Sequence, residues 1–91
     1  MRFEYDQEKS LANKEKHGID FIEAQKLWSD PEAIVVPAKT VGEETRYALI
    51  GMIGPKCYAA IFVMREQHYR IISVRRCRKK EEHHYEEAKR R

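Results

Sequence analysis

Ninety-one residues, 42% of them apolar, carry a net charge of +3. A chain of this length buries only about 60–65% of the surface its unfolded form exposes, so it forms one domain, residues 1–91, with little room for a cofactor. No run of about 18 apolar residues occurs and Met1-Arg-Phe-Glu-Tyr5 does not read as a secretory signal, so no membrane partner and a soluble, cytoplasmic protein are expected.

Phe3 and Tyr5 alternate with Arg2, Glu4 and Asp6, the period of a short first strand. Asp6 then reads as the N-cap of a helix from about Gln7 to His17, closed by Gly18, the residue type that best tolerates the left-handed conformation after a helix. At helical spacing Asp6, Lys9, Asn13 and His17 fall on one narrow polar stripe. Asp20-Phe-Ile-Glu23 resembles a capping box and predicts a second helix, with Phe21, Ala24, Leu27 and Trp28 as its apolar face and Ser29-Asp30-Pro31 as its stop.

An edge-like run, Ala33–Pro37, precedes three β-rich stretches: Thr45–Ile53, Cys57–Met64 and Tyr69–Arg76. Gly54-Pro55-Lys56 and Arg65–His68 are short enough to join these as hairpins. A last helix, about Lys79–Lys89, offers only Tyr85 and Ala88 beside Glu81 on one face and is expected to be weakly anchored. The order predicts an α+β fold in which two N-terminal helices cover one face of an antiparallel sheet and a C-terminal helix follows. The other face is then partly open, or covered by a partner. Cys57 and Cys77 share no short spacing and read as small buried hydrophobes. His83-His84 are adjacent and point to different sides of their helix, and neither a metal motif nor a glycine-rich phosphate loop is present.

The charge is unevenly divided. Residues 65–91 carry ten Lys/Arg against five Asp/Glu, and residues 1–64 carry eight against ten. Within Arg70–Lys80 six cations and no carboxylate flank an apolar, strand-like core, so the cations arrive on a rigid element and suit a polyanion. Strict alternation puts Ile72 and Val74 on one face of that strand and Ser73 and Arg75 on the other. Arg46 begins a neighbouring strand and can meet the same surface. Two guanidinium groups from two strands suit a scissile phosphate, because each binds its oxygens bidentately and stabilises charge that grows in the transition state. Arg75 snorkelling at a sheet edge is the plain alternative. His17, Lys9, Glu81 and Tyr85 are the titratable groups available to move protons in RNA cleavage without a metal. His17 also reads as a helix-ending cap, and Asp6, Lys9 and Asn13 as a hydrogen-bonded network that holds the first helix to the sheet.

Several of these residues together resemble the BrnT toxins of bacterial type II toxin–antitoxin modules: Phe3-Glu-Tyr-Asp6, Lys9, Asn13, Lys16-His-Gly18, Phe21, Ala24, Arg46, Gly51, Arg70-Ile-Ile-Ser-Val-Arg75, Glu81 and Tyr85. The resemblance implies a RelE-like fold, a ribonuclease that arrests translation, and neutralisation by a BrnA-type antitoxin with a ribbon-helix-helix DNA-binding domain. It also implies operator DNA as a partner only through the antitoxin complex, with a toxin homodimer inside a heterotetramer. Arg46, Arg75, His17, Lys9 and Tyr85 form the expected catalytic set, and Ser73, Arg76, Lys79 and Lys80 the expected substrate-binding set, with no metal and no cofactor. Two positions depart from the family's pattern. Cys77 stands where Ala is usual, and Arg78 where a Ser or Thr commonly caps the last helix. A missing cap of that kind costs about 0.5–2 kcal/mol, which predicts fraying there.

Two other readings fit the same residues. One is an antitoxin-binding corepressor module with weak or no ribonuclease activity. The other is a small nucleic-acid-binding regulator that uses Arg70–Lys80 for phosphate contacts alone. Retention of Arg46 and Arg75 beside titratable groups favours the enzyme, and growth arrest on induction separates it from the corepressor.

Overall fold

The computed structural model describes residues 2–91. Its elements run β1 (Arg2–Glu4), α1 (Gln7–His17), a 3-10 helix (Glu23–Ser29), β2 (Ile34–Pro37), β3 (Tyr47–Ile53), β4 (Lys56–Arg65), β5 (His68–Arg76) and α2 (Lys79–Lys89). The α+β architecture is as expected, with two corrections. The sheet order is β1-β5-β4-β3-β2, and β1 lies parallel to β5, so the sheet is mixed and not purely antiparallel. The second helix is a 3-10 turn and not a regular α-helix. Asp20 does start it, its Oδ1 accepting from the N–H groups of Ile22 at 3.0 Å and Glu23 at 2.7 Å. Between the Asp20 cap and Pro31 only the seven residues Glu23–Ser29 are helical, too short a run to gain much from α-helix propagation.

α1 follows its local signals. The Asp6 carboxylate accepts from Lys9 N–H at 3.1 Å, and Gly18 closes the helix at φ +77°, a conformation that suits glycine. What docks α1 is polar. β1 covers β5 only at His68–Arg70, so the outer backbone edge of β5 beyond Arg70 has no neighbouring strand. Asn13 stands in for one: its Nδ2 donates to the carbonyls of Val74 and Ile19 at 2.8 Å each, and its Oδ1 accepts from Val74 N–H at 3.1 Å. Ser10, also buried, accepts from Phe21 N–H at 2.9 Å and ties the same helix to the next segment. The polar stripe is therefore a structural network at Asn13.

Two cores lie on opposite faces of the sheet. On the α1 side Phe21, Ala24 and Leu27 pack on Leu49, Ala60, Phe62, Ile71 and Val74. On the α2 side a smaller cluster gathers Ile50, Cys57, Ala59 and Tyr85. Ile71 and Val74 share a core although three positions apart, because a β-bulge interrupts the register. Phe62 pairs with Ile71, Ile61 pairs with Ser73, and Ile72 is the extra residue. Ile72 and Val74 thus do not share a face as strict alternation would have it. Because the parity shifts at the bulge, Arg70 and Arg75 emerge on the same side of β5.

Cys57 and Cys77 are joined by a disulfide, with Cα atoms 5.3 Å apart, and are not the separate buried hydrophobes expected. They are 20 residues apart in sequence but directly opposite once β4 and β5 pair, with Cys77 N–H donating to Cys57 O at 2.9 Å. The β4–β5 turn is tight, and its two residues, Glu66 and Gln67, hold φ of +47° and +70°. Asn-Gly is the pair that adopts this geometry without strain. The double substitution Glu66→Asn/Gln67→Gly is therefore expected to stabilise the fold by about 1 kcal/mol in a denaturant melt; no gain would mean the turn is unstrained.

Candidate active site

Alternation along β5 sends Arg75 to the α2 side of the sheet, and Arg46, one residue before β3, joins it in lining one cleft of about 350 Å³. Its apolar walls come from Val36, Val41, Ala48 and Ile61, and its charge from Lys39, Arg46, Arg75 and Arg78 against the single carboxylate of Glu81. The rim is the β2–β3 connection, folded back by the backbone bonds between Val41 and Glu44 and between Ala38 N–H and Arg46 O.

Arg75 is held in a fixed orientation. Its Nη1 and Nη2 donate to the two oxygens of Glu81 at 2.7 and 2.8 Å, and Nη1 also donates to Arg76 O at 3.2 Å. A guanidinium has five N–H donors, so the Nε–H and the second Nη2 hydrogen remain, side by side on one edge. That edge is the arrangement that grips two oxygens of a phosphate. Hydrogen bonding to Arg75 holds the Glu81 carboxyl below its ordinary range despite partial burial, and Arg75 is raised in turn by Glu81. Glu81 is therefore ionised at neutral pH and positions Arg75. Arg46 is less committed: its contact to Glu44 is 3.7 Å long, and its buried Nε has no partner among the described residues.

The apolar attachment of α2 is as thin as expected, since Tyr85 alone of its residues is buried, and polar contacts supplement it. Tyr85 is 4% exposed, and its hydroxyl donates to Asp30 Oδ2 at 2.8 Å. The Arg75–Glu81 pair and the disulfide at Cys77 fix the start of the helix. Arg78 has no side-chain acceptor with which to cap it. Its own N–H is nevertheless met by Glu81 at 2.8 Å, so the half of the capping box that Glu81 supplies is present and the half that a Ser or Thr would supply is absent. Asp30, which reads in sequence only as a helix stop, is the junction between layers. Its Oδ1 accepts from Glu32 N–H at 2.9 Å, and its Oδ2 accepts from Met52 N–H at 2.8 Å as well as from Tyr85. Gly51 makes room for this carboxylate, since a Cβ there would stand 3.3 Å from Oδ2.

Burial opposes ionisation of Asp30, but the Glu32 and Met52 N–H groups and the Tyr85 hydroxyl outweigh it and hold the carboxyl below its ordinary value. Burial first, and then the bond to Asp30, push the Tyr85 phenol from 10 up to about 12. A folded-state pKa above the unfolded one means that this contribution is complete below about pH 10 and disappears as pH rises toward about 12. The stability difference between the wild type and Tyr85→Phe should accordingly be constant from neutral pH to about pH 9 and shrink above pH 10. A gap that stays level to pH 12 would show that the phenol is not held protonated by this contact.

The remaining sequence-predicted residues are dispersed. Ser73 pairs with Ile61 on the cleft side of β5 without lining the cleft. Arg76, one position beyond Arg75, emerges on the opposite face and stacks over Tyr58 at 5.7 Å. Lys79 and Lys80 line a groove of about 440 Å³ on the surface of α2 itself, with His83, His84 and Glu87. His17, at the end of α1, lines neither the cleft nor this groove. Lys9 reaches a smaller recess of about 160 Å³ that Arg46 also lines. The structure thus brings Arg46 and Arg75 together and adds Lys39, Arg78 and Glu81, while His17 and Tyr85 stand apart from the cleft. Lys39 and Arg78 carried no motif of their own, and only the pairing of β2 with β3 brings Lys39 to the rim. Among the described residues no three His, Cys, Asp or Glu side chains gather as a metal site would require, and no helix is long and apolar enough to cross a membrane.

A cationic cleft with one carboxylate bound to an arginine has the charge to hold a phosphate. A family model described as the ribonuclease toxin BrnT of type II toxin–antitoxin systems matches residues 5–81. The chain belongs to the BrnT family. No curated protein matches it. The matched span runs from Tyr5 through Glu81, so it contains Arg46, Arg75 and the carboxylate that orients Arg75. BrnT membership makes this chain a type II toxin of a ribonuclease family, for which RNA is the substrate class and an antitoxin the partner.

Proposed function

We propose that the protein is a metal-independent endoribonuclease that cleaves RNA in the cytoplasm to arrest translation, with the scissile phosphate seated between Arg46 and Arg75. The observation that carries this reading is that both guanidinium groups line one cleft, Arg75 with one edge left over from its bonds to Glu81 and Arg46 with only a 3.7 Å contact to Glu44 at its Nη2. In this reading the 2′-oxygen of a ribose attacks the adjacent phosphorus, the bond to the 5′-oxygen of the next nucleotide breaks, and the products are a 2′,3′-cyclic phosphate and a free 5′-hydroxyl. The 2′-hydroxyl proton leaves and a proton is delivered to the 5′-oxygen. Negative charge grows on the non-bridging oxygens during attack, and donors fixed in advance stabilise it at no reorganisation cost. Glu81 is a positioning residue: ionised and doubly bonded to Arg75, it is a poor proton acceptor and a good clamp.

Because guanidinium groups supply the counter-charge, cleavage of a labelled single-stranded RNA should proceed at an unchanged rate in EDTA. Activity that vanishes on chelation and returns with a divalent ion would overturn the metal-independent mechanism. Neutralisation follows from the same geometry. An acidic segment of a BrnA-type antitoxin placed over Arg46, Arg75 and Arg78 would occupy the phosphate positions, so antitoxin and RNA should compete.

A further inference from the structure

Beside the cleft, on the same face of the sheet, lies the recess of about 160 Å³ lined by Lys9, Arg46, Arg65 and Arg70 together with Asp6 and Glu44. Its cations are poorly neutralised. Glu44 stands 3.7 Å from Arg46 and Glu4 stands 3.6 Å from Arg70, against 2.7 Å for the Arg75–Glu81 pair. Asp6 is spent on capping α1. The volume is below the roughly 300–1,000 Å³ of pockets that enclose organic ligands, and a small, charged recess of this kind suits an oxyanion.

The β-bulge explains why the recess faces the cleft. Strict alternation would place Arg70 and Arg75 on opposite sides of β5, and the extra residue at Ile72 returns them to one side, roughly 15 Å apart along the strand. Arg46 lines both cavities and joins them into one cationic track.

We propose that Lys9, Arg46, Arg65 and Arg70 form a second phosphate subsite, which holds the RNA backbone more than one nucleotide away from the scissile phosphate. The inference rests on the ribonuclease reading for the identity of the polyanion, but it makes a claim about binding that can be tested without cleavage. Two nearby phosphates gripped at once fix the register of the chain across the cleft, so the subsite positions the substrate and favours RNA longer than a dinucleotide.

The test uses a fluorescent 2′-O-methyl oligoribonucleotide of ten residues, which lacks the attacking hydroxyl, bound to the full chain over a range of NaCl concentrations. Arg65→Ala is the principal variant, because Arg65 is exposed at the end of β4 and its loss should leave the fold intact; Arg70→Gln is the second. Each is expected to weaken binding several-fold at low salt and to lower the slope of log K against log salt by about 0.7, the value for one phosphate contact on a single strand. Lys26→Ala, which removes an exposed charge from the 3-10 helix, should change neither. Wild-type slope and affinity in both principal variants, an equal loss in Lys26→Ala, or no binding by the wild type would each overturn the subsite. If the oligomer binds through Arg65 and Arg70 while unmodified RNA is never cut, the subsite stands and the ribonuclease reading falls.

Discussion

Arg75→Ala and Arg46→Ala should each lower cleavage of a single-stranded RNA by about 10²–10³-fold, the usual scale for removing one fixed donor from a developing oxyanion. The two losses arise differently. Arg75 is pre-oriented by Glu81, so its removal deletes a rigid two-pronged donor and leaves the Glu81 carboxylate with the Arg78 N–H but without its guanidinium partner. Arg46 immediately precedes β3 and its Nη2 is only 3.7 Å from Glu44, so its removal deletes a loosely paired donor and opens the wall shared by the two cavities. Arg75→Lys should recover little, because a point charge on a flexible stem reproduces neither the bond pair to Glu81 nor the remaining edge. The check is single-turnover cleavage beside a circular dichroism melt. Wild-type cleavage by a folded Arg75→Ala or Arg46→Ala protein would remove that residue from the catalytic set.

Asn13→Ala is expected to be the most damaging single truncation for stability. It leaves the N–H and carbonyl of Val74 and the carbonyl of Ile19 without partners in a buried position, and α1 loses its bond to the strand that carries Arg75. With a cost of 1–3 kcal/mol for each stranded buried group, partly relieved by entering water, the total loss should be about 3 kcal/mol. For a domain of this size that corresponds to a fall of roughly 12–24 °C in Tm. Asn13→Asp should be at least as severe, since a carboxylate cannot donate and would face two carbonyl oxygens. A loss below about 1 kcal/mol in Asn13→Ala would show that water satisfies the β5 edge as well as the amide does.

The disulfide bears on where these measurements are made. In a reducing cytosol such a bond is usually transient, so the cytoplasmic protein proposed here would meet both states of Cys57 and Cys77. α2 keeps its Tyr85–Asp30 and Glu81–Arg75 anchors in either state, and neither involves sulfur.

Local chemistry was enough to place the helices that begin and end the chain. Asp6 and Gly18 bound α1, and the apolar runs and short turns mark three central strands, because caps, turns and hydrophobic periodicity act over a few residues and are written in consecutive positions. The family pattern was legible for the same reason, and so was the membership it implies. The unread features depend on residues far apart. Parallel pairing of β1 with β5 spans most of the chain, and Asn13 meets Val74 across 61 positions. Asp30 meets Tyr85 across 55, and the cysteines meet only when two strands align. The bulge at Ile72 has no local signature, since an extra residue in a strand is defined by what stands opposite it. Yet it decides which arginines share a face. The sequence alone therefore determined which side chains could serve a phosphate, and the tertiary structure decided which of them could serve the same one, because facing and register belong to pairs of strands and not to either strand alone.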